Sequence, residues 1–162
     1  MDASKLTILE LLRAHGAIMH ELRRRDIIRS ANNPISDLAE VLFERAFGWK
    51  REGNSASGHD AVDDAGARYQ IKARRIAGAK GSRQLSAIRN LAKDPFDQLA
   101  AILFDSEFRA FRAAIIPVAI VKSRARLSQH TNSHVFHLRD EVWSLPGVRD
   151  VTQEIRAALE AL

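Results

Sequence analysis

Two apolar runs separated by three polar residues constrain this chain most. Residues 97–104 (Asp-Gln-Leu-Ala-Ala-Ile-Leu-Phe) and residues 108–116 are joined by Asp105-Ser106-Glu107. Runs of this length bounded by a polar turn predict two buried strands forming a hairpin. Any fold must enclose that hairpin, and 162 residues suffice to do so in one domain with a real core. The chain has no cysteine, so disulfides, thiolate zinc sites and thiol nucleophiles are excluded and packing alone must hold the fold. No apolar run approaches the roughly 18 residues of a membrane span, and the first residues alternate charged with apolar types rather than forming a signal-peptide core. The expectation is a soluble, cytoplasmic protein with no membrane partner.

The remaining segments predict helices around a sheet. Ile8, Leu11, Leu12, Ile18, Met19 and Leu22 recur at helical spacing, predicting a helix over residues 4–29 with Gly16 as a point of weakness. Asn32, Asn33 and Pro34 stop the chain and start a second helix over 35–47, which Gly48 ends. At 100° per residue, Leu38, Leu42 and Ala46 share one side of that helix while Asp37, Glu40 and Glu44 form an acidic stripe opposite. A polar loop over 50–58 leads to a short strand over 60–63, the turn Asp64-Ala65-Gly66, and a strand over 68–74. Residues 76–82 form a Gly-containing connection without P-loop spacing, and 83–91 suits either a strand or a helix. Pro117 opens a helix over 118–126, residues 132–137 form a last short strand, and Asp150 caps a helix over 151–162. The order predicts an α/β (α+β) fold, a mixed sheet flanked by helices, in one domain over 1–162 with its core at 35–120 and the terminal helices as additions.

Chemistry concentrates on the hairpin. In a strand alternate residues share a face, so Gln70 and Lys72 point one way while Tyr69, Ile71 and Ala73 pack the other. Mg²⁺ takes oxygen ligands, keeps several waters and is typically held by one or two carboxylates plus substrate phosphate. Asp60 supplies one carboxylate, the Gln70 amide oxygen a neutral ligand, and the Ile71 carbonyl lies nearby. Glu40, with Glu44 as its substitute, is the natural second anion. Lys72 stands where an attacking water needs orientation or proton transfer and where phosphoryl charge needs stabilising. Net charge is only +5, yet residues 68–93 carry eight Lys and Arg with no Asp or Glu. Within that block Arg74, Arg75, Lys80 and Arg83 are the candidate phosphate contacts.

A helix glutamate, then an aspartate, a turn and Gln-x-Lys resembles the PD-(D/E)xK nuclease superfamily. The Gln70-Ile71-Lys72 form is similar to that of Mrr-like restriction nucleases. Two positions depart from the pattern: His59 stands where proline commonly precedes the aspartate, and Gln70 stands where an acidic residue is usual. The resemblance covers about residues 35–120. It implies a restriction-endonuclease-like mixed sheet and Mg²⁺-dependent (or Mn²⁺-dependent) phosphodiester hydrolysis, with Asp60 and Glu40 as metal ligands, Gln70 at the second acidic position and Lys72 as the catalytic lysine. The expected partner is nucleic acid, double-stranded DNA first, with a homodimer suited to cutting both strands. The alternative is a catalytically inactive nucleic-acid-binding protein that retains the fold. His130, His134 and His137 lie in a polar loop-and-strand context that argues against a metal cluster, and Trp49 and Trp143 are expected to pack in the core.

Overall fold

The computed structural model describes residues 2–30, 33–53, 58–78 and 81–162. Helix α1 (Ile8–Arg24) starts at Thr7, whose hydroxyl accepts from the Glu10 amide while the Glu10 carboxylate accepts from the Thr7 amide at 2.8 Å, a reciprocal cap. It runs unbroken through Gly16 and stops short of the expected residue 29. Its apolar stripe is largely uncovered: only Met19 is buried, while Ile8, Leu9, Leu12 and Ile18 are exposed. Helix α2 (Ile35–Phe47) ends at Gly48 and buries Leu38, Leu42 and Phe43.

The main sheet has six strands in the order β1-β2-β3-β4-β5-β8. They are β1 (Lys50–Arg51), β2 (Ala61–Val62), β3 (Arg68–Arg75), β4 (Gln98–Phe104), β5 (Ala110–Pro117) and β8 (Arg149–Asp150). Among the described residues only β3 and β4 run parallel, and a parallel pair needs a long crossover. The described residues of 76–97 make it without an α-helix. The expected 83–91 element is neither strand nor helix but coil with two isolated bridges, followed by a 3-10 turn at Leu91–Lys93.

The apolar runs form the antiparallel β4–β5 pair. Their unbroken hydrophobicity has a direct cause, because the sheet is covered on both faces. Ala100, Ile102 and Phe104 join Leu42, Phe43, Tyr69 and Ile71 in one cluster, closed by α4 (Thr152–Glu160) through Ile155. Leu99, Ala101 and Leu103 join Leu85, Ile88, Leu91 and Phe96 of the crossover on the other. Helix α3 (Val118–Arg124) adds Val121 to that second face. It is two residues shorter than expected because Arg126 enters β6 (Arg126–Ser128), which pairs with β7 (Ser133–Val135) as a separate two-stranded ribbon. Asp150 does hold the start of α4: its Oδ1 accepts from the Thr152 amide at 3.0 Å and hydroxyl at 2.6 Å. It also belongs to β8, an edge strand too short to announce itself in sequence. No helix among the described residues is long and apolar enough to cross a membrane.

Aromatic rings tie α2 to the hairpin. Trp49 is buried (5% exposed), its ring lies 3.7 Å from that of Tyr69 on β3, and it stacks 5.2 Å from both Phe43 and Phe47 of α2. This matches the core-packing expectation for Trp49. Trp143 is partly buried against the second cluster, donating from Nε1 to the Ala113 carbonyl at 3.2 Å beneath the Arg112 guanidinium. Truncating Trp49 leaves a ring-sized void between helix and sheet, so Trp49→Ala is expected to lower unfolding stability by about 3–5 kcal/mol. Urea denaturation followed by circular dichroism measures this, and a loss under about 1 kcal/mol would show that the stack contributes little.

Candidate functional site

The hairpin turn is built by Asp63. Its Oδ1 accepts from the Ala65 and Ala67 amides at 3.0 and 2.9 Å, and its Oδ2 takes the Tyr69 hydroxyl at 2.9 Å. These bonds hold the Asp63 carboxyl below its ordinary range. Gly66 follows at a φ of +83°, a left-handed conformation that favours glycine. Before the hairpin, Gly58 has a φ of +77° and packs so close to Pro95 that a Cβ would lie 2.8 Å from the proline Cβ. The start of the hairpin is thereby seated against the end of the crossover.

Strand β2 is two residues long, and because it begins only at Ala61 the edge of β3 beyond Tyr69 is left open. Along β3 the backbone groups of alternate residues address opposite neighbours. The Tyr69 carbonyl faces β2 and accepts from the Asp60 amide at 2.8 Å. Two residues on, Ile71 faces the same way, but β2 offers no further backbone. The Asp60 side chain takes that place, its Oδ2 accepting from the Ile71 amide at 2.6 Å and also from the Gln70 side-chain amide. The Ile71 carbonyl therefore points to the same open edge. Among the described residues nothing donates to Asp60 Oδ1.

Gln70 and Lys72 project as expected from the face opposite Ile71, beside Leu99 and Ala101 of β4. Glu40 arrives from α2 on the other face, so the site lies at the sheet edge where the two faces meet. Glu40 is mostly covered, with 17% of its side chain exposed, and pairs with Arg29. Burial pushes its carboxyl above the ordinary range, the nearby charge of Asp60 adds to that push, and Arg29 opposes it. Lys72 is shifted the other way. Burial lowers its proton affinity, Asp60 and Glu40 pull upward, and Arg89 pushes down. Glu40 and Lys72 thus both feel the charge of Asp60.

The acidic stripe of α2 proves to be three separate ties. Asp37 Oδ2 accepts from the backbone amides of Arg29 and Ser30 at 2.9 and 3.1 Å, pinning the segment between the helices. That tie delivers Arg29 to Glu40. Glu44, the substitute ligand, pairs instead with Arg51 of β1 at 2.6 Å. Arg29 lies in a segment with no motif, so nothing in the sequence marked it.

Of the expected phosphate contacts, Arg74 is exposed, and Arg75 is exposed while lying over the Phe108 ring at 4.7 Å. Arg83 is committed to Asp140 at 2.6 Å, and Lys80 lies outside the described residues, as does Asn32 of the expected helix stop. His130 sits at the tip of the β6–β7 ribbon, and His134 and His137 form bridges to Ile88 and Gln84. Among the described residues no group of three His, Cys, Asp or Glu gathers to hold a metal. The oxygens at this edge are Asp60 Oδ1 and the Ile71 carbonyl, and the Glu40 carboxylate is near enough to feel the Asp60 charge. They suit a hard cation completed by water and phosphate. Gln70 presents its amide nitrogen to Asp60, so it joins such a set only by turning the amide over. No family model and no curated protein matches the chain.

A buried cation is costly without a task. A lysine whose folded pKa is depressed destabilises the fold wherever it is protonated, and the penalty disappears as pH rises past the unfolded value near 10.5. Lys72→Met is therefore expected to raise the melting temperature at pH 7, with the gain shrinking towards pH 10.5. A lower melting temperature at pH 7 would show that attraction to Asp60 and Glu40 outweighs burial.

Proposed function

We propose that this protein is a Mg²⁺-dependent nuclease hydrolysing phosphodiester bonds of DNA, with a restriction-endonuclease-like sheet in the Gln-x-Lys form of the PD-(D/E)xK superfamily. The observation that supports the reading is Asp60 at the open edge of β3, bonded to the Ile71 amide, with Glu40 and Lys72 near enough to feel its charge. Asp60 Oδ1, Glu40 and the Ile71 carbonyl would hold Mg²⁺ or Mn²⁺, which when bound supplies Lewis acidity to the phosphoryl oxygen. In the hydrolysis a water oxygen bonds to phosphorus and the bond to the leaving sugar oxygen breaks. Lys72, with its proton affinity lowered by burial, accepts the water proton at a lower pH than an exposed lysine would. The Arg89 charge reaches Lys72, and Arg74 and Arg75 would continue the positive edge toward neighbouring phosphates. Lys80 and Arg83 belong to the same basic block, although Arg83 spends its charge on Asp140.

Supercoiled plasmid with Mg²⁺ or Mn²⁺ tests this reading. Wild type is expected to nick or linearise it, Asp60→Ala and Lys72→Ala to lose at least 100-fold in rate, and the wild-type rate to rise with pH and level off below the ordinary lysine range. A second reading, a non-catalytic nucleic-acid-binding protein, is favoured by one feature: Arg29 already occupies Glu40 and the Gln70 amide already occupies Asp60. Binding without cleavage by wild type under every divalent cation would decide for it.

Cutting both strands of a duplex calls for two such sites, and we extend the proposal to a homodimer through α1. Ile8 (79% exposed), Leu12 (64%) and their neighbours leave on the order of 500 Å² of apolar side chain uncovered, approaching the roughly 800 Å² per partner of a standard interface. Light scattering is expected to give twice the chain mass, and Leu12→Glu half of the wild-type value; a wild-type monomer at high concentration would refute the dimer.

A further inference from the structure

The basic block at 68–93 is not alone. From Phe108 to Leu138 the sequence again has no Asp or Glu, and it carries Arg109, Arg112, Lys122, Arg124 and Arg126, with Arg139 following. Folding brings the two acid-free stretches edge to edge. Leu85 donates to the Phe136 carbonyl at 3.0 Å, Ile88 and His134 exchange bonds at 2.9 and 2.8 Å, and Leu138 donates to the Arg83 carbonyl at 3.0 Å. The β6–β7 ribbon is therefore docked on the crossover segment that leads to Arg89, a cation whose charge reaches Lys72. The ribbon also lies on the Lys72 face of the sheet, since Phe136 and Val121 share a cluster with Leu99 and Ala101.

At the base of this ribbon Arg124, Arg126, His137 and Arg139 line a cavity of about 320 Å³ together with a single carboxylate, Glu141. Among the described residues Glu141 pairs only with Arg124, at 3.9 Å. Among the described residues the Arg126 and Arg139 side chains have no ion pair and no hydrogen bond. Other surface arginines are neutralised closely, with Arg24 on Glu21, Arg68 on Asp97 and Arg109 on Asp105 within 2.9 Å of their partners, whereas Arg126 and Arg139 share one hollow with a third guanidinium. Like charges gathered without counter-charge repel one another, and guanidinium forks match phosphate oxygens in pairs. A purely solvated face gains nothing from holding three guanidinium groups around one hollow.

We propose that Arg124, Arg126 and Arg139 at the base of the β6–β7 ribbon form a second phosphate-binding surface, which grips the backbone of the nucleic acid whose scissile bond lies at Lys72. The inference rests on the reading of the partner as nucleic acid. It assigns to the ribbon the task of positioning the strand away from the chemistry, through contacts that carry no base specificity. His130, at the ribbon tip, is placed to extend the track.

Fluorescence anisotropy with a labelled 20-base-pair DNA duplex, without divalent cation, between 50 and 200 mM salt, tests it on the full chain. The double variant Arg126→Ala/Arg139→Ala changes two exposed side chains without bonds, so its circular dichroism and melting temperature are expected to match wild type. Each lost phosphate contact reduces the slope of log affinity against log salt by about 0.9. The double variant is expected to lose nearly two units of slope and about tenfold or more in affinity at 100 mM salt. Arg24→Ala/Arg25→Ala on α1 removes the same charge from another surface and is expected to keep the wild-type slope. Equal losses in both double variants, or none in either, would overturn the ribbon surface while leaving DNA binding intact. Wild type that fails to bind duplex even at 50 mM salt would overturn the nucleic-acid reading and this inference with it.

Discussion

The stack of Trp49 on Tyr69 is the contact on which the rest of the site depends. Tyr69 lies on the strand that carries Gln70, Ile71 and Lys72, next to its first residue, and Trp49 follows the helix that carries Glu40. Stacked rings 3.7 Å apart in a close-packed core leave little room for the helix to slide along the strand. Phe43 and Phe47 extend the stack onto α2 itself. The same tyrosine donates its hydroxyl to Asp63, which organises the turn. One side chain thus couples helix position to hairpin geometry, and Glu40 can sense Asp60 only because both are referred to it. Burial and its bond to Asp63 push the Tyr69 phenol up to about 12, so the link keeps its proton throughout the neutral range.

The second constraint is the brevity of β2. Had that strand continued, its backbone would satisfy Ile71 and cover the edge of β3. Because it stops, a side-chain carboxylate completes the ladder. Asp60 therefore has a structural role, accepting from an amide that would otherwise be unpaired at a partly buried position. Its Oδ2 performs that role and its Oδ1 does not. A carboxylate divided in this way offers one oxygen to the fold and one to a ligand.

Much of this was legible in the sequence, for identifiable reasons. The two apolar runs around Asp105-Ser106-Glu107 specify the central hairpin because strands covered on both faces need no alternation. The alternation in Tyr69-Gln70-Ile71-Lys72-Ala73 fixes which residues face the site. Three features escaped. The β6 and β8 strands are only two or three residues long, too short for a local pattern to report, and β8 takes its conformation from β5, far away in sequence. The 83–91 segment carries apolar residues for one cluster but bonds to the distant residues 134–138 rather than within itself, so neither helical nor strand period prevails. Arg29 acts through a tether from Asp37 that spans eight residues and follows no motif. The acidic stripe itself was visible, whereas the division of its three carboxylates among three different neighbours was not.

Gln70 is where fold and proposed function constrain each other most. An acidic residue there would face Asp60 Oδ2 across a distance that the amide now fills with a hydrogen bond, and two carboxylates so close would repel unless a cation stood between them. With glutamine the fold is satisfied without a metal. The site then gathers two carboxylates against the cations Arg29, Lys72 and Arg89. On the proposed reading, so few anions hold a bare dication weakly, and a phosphodiester supplies the charge that is missing. Metal and substrate then assist one another's binding by equal factors, since linkage between two bound groups is reciprocal. Arg29 fits the same scheme: it compensates Glu40 while the site is empty and is free to turn toward phosphate once a dication takes over that carboxylate.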